Sequence, residues 1–198
     1  MAKLYFRYSS MNAGKSLDLI STHYNYIELG KKPLAYLPSV SGDHIKSRVG
    51  CELPAIPFDE TYSFDIEKID SLKTCDCILI DEAQFLKKVQ VIELHKLAAL
   101  HGIPVICYGL RTDFRGETFE GSAALLALAD ELQEIPTLCH CGKKARMVLR
   151  TVNGEVTTQG EQVVIKDKND KIRYYSVCGK HFYLKQFSKE DDMEKALK

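Results

Sequence analysis

Along the first two thirds of the chain, short unbroken apolar runs alternate with longer stretches in which apolar residues recur every three or four positions. The runs within Lys3–Tyr8, Pro33–Leu37, Cys77–Ile80 and Pro104–Tyr108 have the length of buried strands. Leu17, Ile20, Tyr24 and Ile27 fall on one face of a helix that Gly30 and Pro33 bring to an end. The spacing predicts a second long helix over Lys88–His101, closed by Gly102, and an apolar third over Gly121–Leu132. Ser63–Leu72 reads as a short helix. Residues 38–62 show no period and contain Pro54 and Pro57, so they read as a loop with room for one strand. Continuous apolar strands joined by helices imply an α/β fold around a parallel sheet.

The texture changes near Thr137. Cysteines, alternating strand patterns and the turn signal Asn153-Gly154 follow, and the highly charged Lys166–Lys171 reads as an exposed loop. We place a boundary near Ile135-Pro136. This gives a domain over 1–135, a smaller β-rich domain over 136–188, and a polar tail over 189–198.

Composition narrows the function classes. Lys+Arg and Asp+Glu both number 27, so no global charge draws the chain toward nucleic acid or a membrane. The start MAKLYFRYSS has no apolar core of a signal peptide, and no stretch approaches the ~18 apolar residues of a membrane span. Seven cysteines without a secretory signal fit reduced thiols and a cytoplasmic location better than a disulfide framework.

The turn after the first strand reads YSSMNAGKSL. Gly14-Lys15-Ser16 closes a phosphate-binding pattern whose first position, usually glycine, is Ser9 here. Its setting between strand and helix is what that motif requires, because backbone N–H groups at such a turn form an anion site. Lys15 would reach the β- and γ-phosphates and Ser16 would ligate Mg²⁺. Ile78-Leu79-Ile80-Asp81-Glu82 is an apolar strand ending in two carboxylates. Asp81 takes the Mg²⁺ role of an acidic strand end, which leaves Glu82 free to accept a proton from an attacking hydroxyl. Helix capping by these residues is the plainer alternative, and two motifs in the right order weigh against it.

Cys139-His140-Cys141 and Cys178-Gly179-Lys180-His181 bracket the β-rich segment. Two knuckles of soft ligands suit a four-coordinate structural Zn²⁺, with His140 able to replace one cysteine. Cys51, Cys75, Cys77 and Cys107 read as structural.

Taken in order, YSSMNAGKS, LIDEAQF, CYGLRTDFRGETF, CHCGKKARMVLR, GEQVVI and YYSVCGKHF resemble the thymidine kinases of the cellular and bacterial type, from about Lys3 to about His181. The resemblance implies a RecA-like P-loop core with a parallel sheet and a small zinc-ribbon β lid. It implies an ATP-dependent, Mg²⁺-assisted transfer to the 5′-hydroxyl of thymidine, giving thymidine monophosphate and ADP. It carries the general base onto Glu82. ATP contacts fall on Ser9, Ser10, Met11, Asn12, Ala13, Gly14, Lys15 and Ser16, and on Asp81, Glu82, Ala83 and Gln84. Zinc falls on Cys139, Cys141, Cys178 and His181. The thymidine site takes Met11, Leu110, Phe114, Phe119 and Tyr174, with main-chain groups of Val163, Val164 and Ile165. Arg115, in the FRG turn, is a further candidate for stabilising phosphate charge. A homotetramer inhibited by thymidine triphosphate is also implied.

The chain departs from the family pattern at Ser9, at Ala83, in the absence of an Asp-x-Arg element over 38–48, and in a longer, glycine-free 166–173 segment. Two rival readings remain. Asp81-Glu82-Ala83-Gln84 resembles the acidic motif of nucleic-acid-stimulated ATPases, but 198 residues leave no room for a second RecA-like lobe. A zinc-ribbon binding module with a vestigial nucleotide site would bind ATP without turnover.

Overall fold

The structure, a computed structural model, describes residues 1–162 and 171–187 of the 198. It divides into two compact units. The first comprises residues 1–9, 13–111 and 118–135, and the second takes 10–12, 112–117 and the chain from Pro136 onward.

In the first unit the elements run β1 (Leu4–Ser9), α1 (Lys15–Glu28), β2 (Pro33–Pro38), β3 (His44–Lys46), β4 (Glu52–Pro54), β5 (Ile56–Phe58), α2 (Asp70–Thr74), β6 (Cys77–Ile80), α3 (Lys88–His101), β7 (Val105–Leu110), α4 (Glu120–Leu128) and β8 (Glu131–Glu134). Six strands form one sheet in the order β5-β2-β6-β7-β1-β8, and every neighbouring pair is parallel. The period of two along each strand sends alternate side chains to opposite faces. Phe6, Ile78, Ile80, Val105 and Cys107 pack with Val91, Leu94 and Leu97 of α3 and Leu125 of α4. Cys77, Leu79, Ile106 and Tyr108 pack with Leu19 and Ile20 of α1 and with Ile45 and Leu53 of the β3–β4 hairpin. Burial on both faces is why β6 is wholly apolar.

Four expectations are corrected. In α1, Ile20 is buried as expected, but Leu17, Tyr24 and Ile27 are 38%, 52% and 48% exposed, and Leu19 joins Ile20 in the core. The buried face is turned from the expected one toward Leu19, where Ile45 and Leu53 of the β3–β4 hairpin pack. Residues 38–62 hold β3, β4 and β5 rather than a single strand. Helix appears only at Asp70–Thr74 within the 63–74 region. The reason is that Glu93 of α3 accepts the Phe64 N–H at 2.7 Å and the Ser63 hydroxyl at 3.1 Å, while Phe64 joins an aromatic cluster with Tyr36 and Tyr62. Finally, α4 stops at Leu128. Asp130 accepts the Leu4 N–H at 2.8 Å and donates its own N–H to the Leu4 carbonyl at 2.9 Å, which starts β8 beside β1. Helix α3 matches its expected bounds, running Lys88–His101 and ending at Gly102 with φ 70°.

In the second unit β9 (Thr137–Leu138) and β10 (Lys144–Ala145) form a small hairpin, and β11 (Met147–Val152), β12 (Glu155–Thr157) and β13 (Ile172–Val177) form a three-stranded sheet in the order β12-β11-β13. Helix α5 (Gly179–Tyr183) follows. Asn153 and Gly154 both have positive φ, 52° and 89°, as a two-residue hairpin turn of this kind needs. Cys139, Ala145, Leu149, Val177 and Cys178 make the core of this unit. Residues 166–170 of the expected charged loop and the whole 189–198 tail lie outside the described residues. Among the described residues no helix is long and apolar enough to cross a membrane.

Candidate functional site

Strand β1 ends at Ser9 and α1 begins at Lys15. Between them Asn12 and Gly14 adopt left-handed φ of 66° and 81°, the turn geometry that opens backbone N–H groups toward an anion. Lys15 is only 7% exposed, and its Nζ donates to Ser9 Oγ at 2.9 Å. Ser9, the departure from the glycine pattern, therefore holds the lysine. Burial lowers the Lys15 pKa, and the nearby Glu82 and Asp81 carboxylates work against that shift.

Ser16 Oγ donates to Asp81 Oδ2 at 2.7 Å, joining the start of α1 to the end of β6. Asp81 is 2% exposed. Burial first, and then the neighbouring Glu82 charge, push its pKa up from 3.8 to about 6, against the pull of the Ser16 hydrogen bond. A hydroxyl and a carboxylate are the hard oxygen donors that Mg²⁺ takes, so this pair could hold it.

Glu82 sits at φ 50°, ψ 39°, a left-handed conformation uncommon for a residue with a side chain. Its carboxylate is held from the side. Gln84 Nε2 donates to Glu82 Oε2, and the same amide's Oε1 accepts the Leu110 N–H at 3.0 Å. Two glycines admit this turn. A Cβ at Gly109 would stand 3.0 Å from Gln84 Oε1, and one at Gly121 would stand 2.6 Å from the Ala83 carbonyl and 2.7 Å from that of Leu86. Ser122 Oγ donates to the Leu110 carbonyl at 2.6 Å, and Phe119 lies edge-on to Phe85 at 6.1 Å. Leu110 and Phe119 thus sit on the same scaffold as the acidic turn.

In the second unit the Met11 carbonyl accepts the Ser176 hydroxyl at 2.5 Å. Asp113 is buried and caps its own turn, accepting the N–H groups of Arg115 at 2.8 Å and Glu117 at 3.0 Å. Arg115 is ion-paired to Asp113 at 2.9 Å and to Glu117 at 3.0 Å. Phe114 is buried beneath the guanidinium of Arg150. Tyr174 lies directly opposite Arg150 in the β11–β13 register. Val163, Val164 and Ile165 lie outside the described residues. Sequence reasoning missed Asp113, Arg150 and Ser176. An aspartate before FRG carries a turn-capping signal, whereas the arginine in MVLRTV looks like any strand residue.

The metal-ligand candidates converge. One ligand atom from each of Cys139, Cys141, Cys178 and His181 lies within 4.8 Å of the others. Cys139 and Cys178 Sγ stand 3.3 and 3.4 Å from His181 Nδ1, and the Cys141 and Cys178 sulfurs are 3.8 Å apart. A tetrahedron with Zn–S bonds of about 2.3 Å has a sulfur–sulfur edge of about 3.8 Å, so the donor set fits zinc in both chemistry and spacing. His140 is not in the cluster. Its ring stacks on His181 with centroids 4.3 Å apart. Hydrogen bonds from the Cys139 N–H to the Lys143 carbonyl and from the Gly142 N–H back to the Cys139 carbonyl, both 2.8 Å, shape the first knuckle.

A family profile described as "Thymidine kinase" matches residues 2–182. The chain is 50% identical over 193 residues to a thymidine kinase of Jannaschia sp. (strain CCS1), covering 92% of this chain and 95% of that one. It is 44% identical over 192 residues to the thymidine kinase of Francisella tularensis subsp. holarctica, with 92% and 97% coverage. It is 46% identical over 189 residues to that of Colwellia psychrerythraea, again with 92% and 97% coverage.

Proposed function

The chain belongs to the thymidine kinase family, and from that premise we propose that it transfers the γ-phosphoryl group of ATP to the 5′-hydroxyl of thymidine. The observation that carries the reading is the meeting of Lys15, Ser16, Asp81 and Glu82 at the ends of two parallel strands separated by β7. Phosphoryl transfer asks mainly for positioning and charge stabilisation, and this group supplies both.

In this reading the Ser9–Ser16 turn and Lys15 bind the phosphates of ATP, with Asp81 to Gln84 lining the same site. Ser16 and Asp81 would hold the Mg²⁺ that accompanies ATP, which would supply neutralisation of the phosphate charge. Glu82 takes the proton from the thymidine hydroxyl as its oxygen bonds to phosphorus. The bond from phosphorus to the ADP oxygen breaks in the same displacement. Arg115 keeps Asp113 and exchanges the exposed Glu117 for phosphate. Met11, Leu110, Phe114, Phe119, Tyr174 and the main chain of Val163, Val164 and Ile165 bind the nucleoside. An aromatic and aliphatic set suits a flat base.

Zinc on Cys139, Cys141, Cys178 and His181 is structural in this reading, since four protein ligands leave no open position. Seven cysteines with no disulfide among them suit a reducing, cytoplasmic setting. The exposed Tyr24 and Ile27 on α1 and Val89 and Leu100 on α3 favour self-association, for which we propose a homotetramer. Thymidine triphosphate, the end product of the route that begins here, is the proposed feedback ligand.

The test is ADP release from the purified chain with Mg²⁺ and ATP, run with thymidine, with other deoxynucleosides, with single-stranded DNA and with no acceptor. Thymidine-dependent release with recovery of the monophosphate is expected. Release driven by DNA, or none with any nucleoside, would overturn the reading.

A further inference from the structure

We propose that Arg150 is a positioning residue for thymidine: its buried guanidinium locks the Phe114 ring and the 159–161 backbone into one arrangement, and so sets nucleoside affinity without acting on ATP. The proposal rests on the kinase reading above.

Arg150 lies in the middle of β11, the central strand of its sheet, and is 3% exposed. Arginine stays ionised in proteins, and a buried charge is costly unless it is paired. Among the described residues no carboxylate stands within ion-pair distance of it. Its compensation comes from elsewhere. The guanidinium carbon lies 3.7 Å from the centroid of the Phe114 ring, a desolvated cation–π contact. One terminal nitrogen donates to the Glu161 carbonyl at 3.0 Å and the other to the Gln159 carbonyl. The Nε–H is buried and has no hydrogen-bond partner among the described residues. A methionine or leucine would fill the same strand position at lower cost, so packing alone does not account for the arginine.

The backbone it grips is shaped to receive it. Gly160 has φ 104°, and a Cβ there would stand 2.5 Å from a terminal guanidinium nitrogen. Only glycine lets the carbonyls on either side face the same cation. A second tie runs in parallel, since Gln162 Nε2 donates to the buried Asp113 Oδ2 at 3.1 Å. The Asp113-Phe114 turn and the 159–162 segment are therefore fastened at two points. Tyr174, directly opposite Arg150 on β13, presents its side chain on the same face. Val163 follows Gln162 in the chain. One cation thus reaches Phe114 and the carbonyls of Gln159 and Glu161, the latter two residues before Val163 in the chain, and shares its sheet face with Tyr174; Phe114, Val163 and Tyr174 are proposed nucleoside residues.

The experiment measures thymidine Kd by calorimetry, together with KM for thymidine and for ATP, in Arg150→Met, Arg150→Lys and Gly160→Ala. Arg150→Met keeps the apolar stem and removes the fork. Arg150→Lys keeps the charge but cannot grip two carbonyls and stack at once. Each variant is expected to raise thymidine Kd and KM by about tenfold or more, with KM for ATP staying within about twofold. Melting temperature and zinc content are read alongside, and Arg150→Met is expected to hold both near wild type, because it removes a buried unpaired charge. Should that variant fail to fold, the other two carry the test. Thymidine Kd within about twofold of wild type in the folded variants would overturn the proposal, as would parallel losses of ATP and thymidine affinity with a falling melting temperature. If the wild-type chain itself shows no thymidine-dependent ADP release, the kinase reading fails first, and that outcome is distinct from a working kinase indifferent to Arg150.

Discussion

Gln84 and Glu82 are joined side chain to side chain in the turn that follows β6. The Gln84 oxygen is already committed to the Leu110 N–H, so its NH₂ must face the carboxylate. This fixes which way the amide points and leaves Glu82 Oε1 as the oxygen able to take a proton. Replacing Gln84 by Ala frees the carboxylate and strands the Leu110 N–H. We expect a fall in kcat of about tenfold to a hundredfold with little change in KM for ATP, and a loss of about 1–3 kcal/mol in stability. Steady-state kinetics and urea unfolding check both, and an unchanged kcat would remove Gln84 from the positioning of Glu82.

Glu82→Ala should abolish turnover while sparing ATP binding, measured by a fluorescent ATP analogue alongside ADP release. The left-handed backbone at Glu82 adds a second expectation. Glu82→Gly relieves that conformation and should raise stability by about 1 kcal/mol while turnover is lost, the signature of strain kept for function. Near-normal turnover in either variant would eliminate Glu82 as the base.

Asp81 gives a pH dependence with a definite sign. Its folded-state pKa, about 6, lies above the ordinary 3.8, so the folded chain binds the extra proton. Stability from this group is present at acid pH and is lost as pH rises through that window. Asp81→Asn, which cannot ionise, should therefore melt higher than wild type at pH 7, with the difference vanishing below about pH 4. With Asp81 as the proposed Mg²⁺ ligand, which must be ionised to bind the metal, kcat/KM for ATP should fall on the acid side with a midpoint near 6. A variant that melts lower at pH 7 would contradict the assignment.

The metal centre predicts about one zinc per chain by elemental analysis. Cys178→Ser should lose that zinc and lower the melting temperature, because Cys178 is both a candidate ligand and a buried member of the second unit's core. His140→Ala should retain the zinc, since His140 stacks on the cluster without joining it. Zinc loss in His140→Ala with retention in Cys178→Ser would reverse the ligand assignment.

The sequence by itself determined the parts that depend on local chemistry. Cys77–Ile80 had to be a buried strand because four apolar residues in a row suit a strand covered on both faces. Lys88–His101 had to stop at Gly102, whose φ of 70° favours glycine. Gly14-Lys15-Ser16, Asp81-Glu82 and the two cysteine knuckles stood out as candidates because phosphate, magnesium and zinc demand particular atoms at particular spacings. Tertiary structure decided whatever turned on a partner distant in the chain. Which face of α1 is core was settled by Ile45 and Leu53, not by its own periodicity. Residues 131–134 became a strand because Asp130 found Leu4. Ser9 gained its meaning from Lys15, Gln84 from Leu110, and Arg150 from Phe114 and Gly160. A pattern read along the chain reports what each residue could do, and a buried polar group shows its role only when the fold supplies the atom that satisfies it.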